Sequence, residues 1–117
     1  MKKILVLDDE VNIRLLLEEE LKDEGYDVIT AATGEEALKI LEKERIDLVT
    51  VDIDLPGING LEFAGRVRKN LPELKMILLT AYTHYQNDLS SWAANAYIVK
   101  SVDLTELKEK IRELIDE

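Results

Sequence analysis

The sequence has no cysteine, only two prolines and five glycines, and a single histidine, tryptophan and phenylalanine. Without cysteine there is neither a disulfide nor a thiolate metal site, so a buried apolar core must carry the fold. Long apolar runs are also missing. Lys2-Lys3 precede only four apolar residues before Asp8, too short for a signal peptide or a membrane span. A cytoplasmic protein with no membrane partner is the expectation. Positive charge is scarce: 15 Lys and Arg stand against 25 Asp and Glu, for a net charge of −10. Direct contact with nucleic acid is therefore not expected of this chain. Linkers, repeats and low-complexity segments are absent, and 117 residues suit one domain, 1–117.

Five short apolar runs are present: Ile4–Leu7, Val28–Ala31, Leu48–Val51, Met76–Leu79 and Tyr97–Val99. They are near-continuous rather than alternating, the pattern of parallel strands covered on both faces. Between them lie stretches with helical spacing. The first carries Ile13, Leu17 and Leu21 and stops at Gly25; the second starts at Thr33, with Glu36 at the capping-box position, and buries Ala37, Leu38 and Leu41. The third starts at Asn59, with Glu62 in the same relation, and presents Leu61, Ala64, Val67 and Leu71. A fourth, around 84–94, has Leu89, Trp92 and Ala93 on one face. The last begins at Asp103 with Glu106 three residues on, and repeats Leu104, Leu107, Ile111 and Leu114. Five β-α units with right-handed crossovers predict a doubly wound, flavodoxin-like α/β domain with a five-stranded parallel sheet, order 2-1-3-4-5, and five helices.

Ligands of such sheets bind outside the carboxyl ends of the strands near the switch point. Here those ends are Asp8-Asp9-Glu10, Asp52, Thr80 and Lys100, with only the second strand ending without chemistry. Two carboxylates ~5 Å apart at an effective dielectric of ~20 repel by roughly 3 kcal/mol. Asp8, Asp9 and Asp52 therefore call for a cation or for protonation. All the donors are oxygens, which fits a hard cation, Mg²⁺ before others. Thr80 and Lys100 are then a hydroxyl and a point charge aimed at an anion beside the metal. An anion, a metal and an aspartate in one pocket suggest phosphoryl transfer to the carboxylate.

The segments ILVLDDE, DLVTVDIDLPGINGLE, ILLTAY and YIVKS, in this order, resemble the motifs of the response-regulator receiver domain of two-component signalling. The resemblance covers essentially the whole chain. It implies that Asp52 accepts a phosphoryl group from the phosphohistidine of a sensor histidine kinase or phosphotransfer protein. It further implies that Asp9, Asp52 and the backbone carbonyl of Asp54 bind Mg²⁺, with Asp8 assisting through water. Lys100 would pair with the phosphoryl group or Asp52, and Thr80 would swing toward the phosphate as Tyr97 rotates inward. That motion would alter the face of the fourth helix, fifth strand and fifth helix and signal to a downstream effector. A monomer or a weak phosphorylation-dependent dimer is expected.

Three positions depart from the family pattern. Ser101 stands where a proline in a cis bond is usual, so either a trans bond or a strained loop is expected after Lys100. The usual glycine before the fifth strand is replaced within Trp92-Ala93-Ala94-Asn95-Ala96. Asp54 occupies a variable position that influences phosphoryl lifetime, where its side chain either orders water or faces solvent. Tyr82, two residues after Thr80, is a second candidate for that tuning. Three other readings stay open: a docking module that never needs phosphate, an aspartate-nucleophile phosphatase suggested by Asp52-x-Asp54, and a flavin binder sharing the topology. Against the last, Asp8-Asp9-Glu10 would repel a flavin phosphate.

Overall fold

The computed structural model describes residues 1–81, 94–101 and 103–116. Its elements run β1 (Lys3–Leu7), α1 (Val11–Asp23), β2 (Asp27–Ala31), α2 (Gly34–Lys43), β3 (Leu48–Asp52), α3 (Gly60–Asn70), β4 (Lys75–Thr80), β5 (Ala96–Val99) and α4 (Thr105–Ile115). The five strands form one parallel sheet in the order β2-β1-β3-β4-β5, as the crossover rule predicts. The segment read as a fourth helix, with Leu89, Trp92 and Ala93, lies outside the described residues, as do Tyr82 and His84. Among the described residues there are four helices, and none is long and apolar enough to cross a membrane.

The near-continuous apolar strands are explained by two cores, one on each face. Ile4, Val6, Leu48, Ile77, Leu79 and Ile98 pack with Leu17 and Leu21 of α1 and with Leu107, Ile111 and Ile115 of α4. On the opposite face, Leu5, Leu7, Val49, Val51, Met76 and Leu78 pack with Ala37 of α2 and Phe63, Ala64 and Val67 of α3. Side chains alternate between faces along each strand, so every second residue goes to each core.

Helix boundaries follow local chemistry. Gly25 has φ +95°, and the bonds Gly25 N to Lys22 O (3.0 Å) and Tyr26 N to Leu21 O (3.2 Å) close a Schellman turn after α1. Thr33 caps α2 by accepting from Glu36 N at 3.1 Å, while the Glu36 carboxylate reaches back to Ala32 N at 2.7 Å. Asn59 caps α3 through Glu62 N, but the Glu62 carboxylate turns outward to Arg66. Two expectations are corrected. The last helix begins at Thr105 rather than Asp103, because the Asp103 carboxylate accepts from Thr105 N (2.9 Å) and Thr105 Oγ1 (2.6 Å) and holds a turn ahead of the helix. Leu71 does not extend the buried face of α3; it lies past the last turn and is 38% exposed. Phe63, absent from the expected face, is fully buried in its place.

Candidate functional site

At the carboxyl edge of the sheet three strand ends meet. Asp8 follows β1, Asp52 closes β3 and Lys100 follows β5. By strand alternation they continue the rows of Val6, Thr50 and Ile98, on the face covered by α1 and α4. Asp8 is 1% exposed and Asp52 3% exposed. Lys100 bridges them, with Nζ 2.9 Å from Asp8 Oδ2 and 3.2 Å from Asp52 Oδ2. Glu10 stands at 4.0 Å from the same ammonium. The carboxylate oxygens of Asp8, Asp9 and Glu10 lie within 4.8 Å of one another, with Asp9 and Glu10 exposed.

Backbone groups hold both buried carboxylates. Asp8 Oδ1 accepts from Glu10 N at 2.9 Å, and Asp52 Oδ1 accepts from Asp54 N at 3.0 Å. The Asp54 side chain itself is exposed, so its main chain is what touches the buried acid. Gly57 has φ +73° and lets the loop after β3 turn away. The first residue of α3 then packs on that loop. A Cβ at Gly60 would run into the carbonyl oxygen of Asp52 and come within 2.7 Å of the Ile53 Cα.

The charges are set against one another. Burial pushes the Asp52 carboxyl above its ordinary range, and the Asp8 charge adds to this. The Asp54 N–H and Lys100 pull it back only in part. Burial works against the charge of Lys100, yet hydrogen bonding and charge from Asp8 and Asp52 outweigh it and raise its pKa. The pocket thus holds more negative charge than one lysine balances.

Thr80 stands at the same edge on the other face, and Tyr97 lies on that face two residues short of the edge, level with Leu78. Thr80 is fully buried at the end of β4, in the row of Leu78, and its carbonyl accepts from Lys100 N at 2.6 Å. Tyr97 is half-buried against the α2 and α3 core. There is no cis peptide bond among the described residues, so the bond from Lys100 to Ser101 is trans, one of the two expected outcomes. Asn95, within the segment that replaces the usual glycine, accepts from Met76 N (2.9 Å) and from Arg68 (3.1 Å).

Of the residues expected at the site, Asp8, Asp9, Asp52, Thr80 and Lys100 are brought to one edge. Asp54 contributes main chain rather than carboxylate, and Tyr82 lies outside the described residues. Two neighbours were missed. Glu10, placed at the end of the first strand but given no role there, faces Lys100. Arg14 of α1 donates to the carbonyl of Asp8 at 2.8 Å. Its signal was a cation one helical turn after an acidic strand end, which is visible only once α1 is placed.

The family model for the response regulator receiver domain matches residues 4–112. Among solved structures, the response regulator TrrA of Thermotoga maritima, crystallised with Mg²⁺ and BeF, is 59% identical with a TM-score of 0.94, covering 98% of this chain and 100% of that one. A chain from the complex of TrrA with histidine kinase ThkA is 58% identical with a TM-score of 0.91, covering 98% and 99%. Sporulation initiation phosphotransferase F of Bacillus subtilis is 34% identical over 116 residues, 97% of this chain and 94% of that protein. The probable transcriptional regulator ycf27 of Cyanophora paradoxa is 40% identical, but the chain spans only 48% of its length. Several of the curated relatives are thus about twice as long as the region matched. On the fold, the acidic edge and these matches together, the chain belongs to the response regulator receiver domain family.

Proposed function

We propose that residues 1–117 act as a phosphoacceptor in two-component signalling, with Asp52 as the acceptor. The observation that carries this reading is the buried pair Asp8 and Asp52 bridged by Lys100 at 2.9 and 3.2 Å, on the rim of a sheet edge. An Asp52 oxygen attacks the phosphorus of a phosphohistidine, the N–P bond breaks, and the histidine nitrogen leaves with its electron pair and a proton from solvent. Lys100 moves its pairing from the carboxylate to the phosphoryl oxygens, and Thr80 donates its hydroxyl to them. Positioning and charge neutralisation carry the step.

The donor set fits Mg²⁺: hard oxygens only, Asp9 clustered with Asp8 and Glu10 within 4.8 Å, Asp52 joined to Asp8 through Lys100, and excess negative charge left by that single lysine. Asp9, Asp52 and the carbonyl of Asp54 would hold it, with Asp8 acting through water. When bound, the ion supplies the positive charge that lets the carboxylates and the phosphoryl oxygens share the pocket.

The kinase complex of TrrA supports a sensor histidine kinase or phosphotransfer protein as donor. On this chain, α1 turns Val11, Leu15 and Leu16 to solvent beside the acids, an apolar surface suited to such a partner. Thr80 and Tyr97 would pass the signal to the face of β5 and α4, and from there to an effector protein or domain rather than to nucleic acid directly. Asp54 and Tyr82 would tune phosphoryl lifetime. The chain is a stoichiometric acceptor in the cytoplasm rather than a turnover enzyme, as a monomer or weak phosphorylation-dependent dimer. Incubation with acetyl phosphate and Mg²⁺, followed by intact mass, tests this. One phosphoryl adduct is expected, prevented by chelator and lost in Asp52→Asn; an adduct that survives Asp52→Asn would refute the assignment.

A further inference from the structure

The turn between β1 and α1 is held from outside the acid cluster. The β1 ladder ends at Leu7, and Asp8 N still reaches Ala31 O at 3.1 Å. The Asp8 carbonyl turns to α1, where Arg14 Nη1 donates to it at 2.8 Å. Asp8 is 1% exposed, so water is a poor substitute for that donor. Two further bonds close the turn: Asp8 Oδ1 accepts from Glu10 N at 2.9 Å, and Arg14 N donates to Glu10 O at 3.1 Å. Arg14 therefore grips the turn with both its main chain and its half-buried side chain.

We propose that Arg14 is a positioning residue for the divalent cation: its bond to the Asp8 carbonyl fixes the turn that presents Asp9 as a ligand and Asp8 as the water-bridged acid, the two lying with Glu10 within 4.8 Å of one another. The inference rests on the Mg²⁺ site proposed above. Groups that orient ligands from behind are commonly worth tenfold or more in metal affinity. A simpler role for Arg14, offsetting the charge of three acids, has the opposite consequence. Deleting a cation beside the site would then tighten Mg²⁺ binding.

The test is calorimetric titration of the full chain with magnesium chloride, for wild type, Arg14→Ala and Arg14→Lys. Unfolding midpoints measured in chelator establish that each variant is folded at the titration temperature. Arg14→Ala is expected to bind roughly tenfold more weakly. Arg14→Lys, whose ammonium on a long stem still reaches the carbonyl, is expected to stay within about threefold of wild type. Unchanged or tighter binding by Arg14→Ala overturns the positioning role while leaving the cation site intact. No binding by wild type overturns the site and the inference together.

Discussion

Asp52 is the residue whose environment and role conflict most. Burial and the Asp8 charge raise its pKa in the fold above the unfolded value. A group raised in this way contributes stability that is fully present below its unfolded pKa and is lost as pH rises through the folded one. At neutral pH the ionised carboxylate therefore weakens the cation-free fold. Asp52→Asn should raise stability at pH ~7 in chelator, with the gain shrinking as pH falls through the raised Asp52 pKa and gone below the ordinary carboxyl value of about 3.9. Mg²⁺ at about 100 times its Kd should stabilise wild type by about 2.7 kcal/mol and the variant by much less. Thermal unfolding with and without Mg²⁺ across pH checks both, and a less stable Asp52→Asn in chelator would contradict the electrostatics. Asp52, Asp8 and Lys100 were legible because a charged residue ending a buried apolar strand is costly unless a site at the sheet edge holds its charge. The exposed carboxylate of Asp54, the approach of Glu10 and the reach of Arg14 were not, since each depends on a rotamer or on helix placement.

The elements show why boundaries were harder to read than existence. Strands buried on both faces announce themselves as apolar runs, and all five fell within a residue of their expected limits. The late start of α4 reflects a competing side-chain turn at Asp103, which a capping-box pattern does not distinguish from a cap. Phe63 was passed over because the expected stripe was counted from Leu61, whereas Gly60, close against the backbone of β3, sets the face of α3 that turns inward. Two glycines make contrasting predictions. Gly25 has positive φ but nothing within 4 Å of a Cβ, so Gly25→Ala should cost about 1 kcal/mol in urea unfolding without affecting Mg²⁺ affinity. At Gly60 the obstruction is the Asp52 main chain itself, so Gly60→Ala should lower both stability and Mg²⁺ affinity. Equal Mg²⁺ affinity in the two variants would mean that the approach of α3 does not position the site.

Across the whole molecule, the order of the strands follows from right-handed crossovers and could be argued before any coordinates. What joins the helices could not. A polar seam ties α1 to α4 through Glu20 to Lys108 (2.7 Å) and Glu24 to Arg112 (3.2 Å), and Tyr26 O–H donates to Asp116 at 2.6 Å. Such pairs depend on helix azimuth, which apolar periodicity fixes only coarsely. Burial, with the hydrogen bond and charge of Asp116, pushes the Tyr26 phenol up to about 12. Its contribution is complete below the unfolded pKa of about 10 and is lost as pH rises toward the folded value. The stability difference between wild type and Tyr26→Phe should hold constant from about pH 8 to about pH 9.5, then shrink by about pH 11; a difference that stays flat would deny the seam this role.

At the scale of function, everything turns on one oxygen: that of Asp52, rather than its neighbour Asp54, receiving the phosphoryl group. Reduction of the phosphorylated chain with borohydride converts an aspartyl phosphate to homoserine. Tryptic cleavage then isolates residues 46–66, a peptide holding Asp47, Asp52 and Asp54. Fragment-ion sequencing of that peptide should place homoserine at position 52 and nowhere else. Homoserine at position 54, or none in a chain that has gained a phosphoryl adduct, would contradict it.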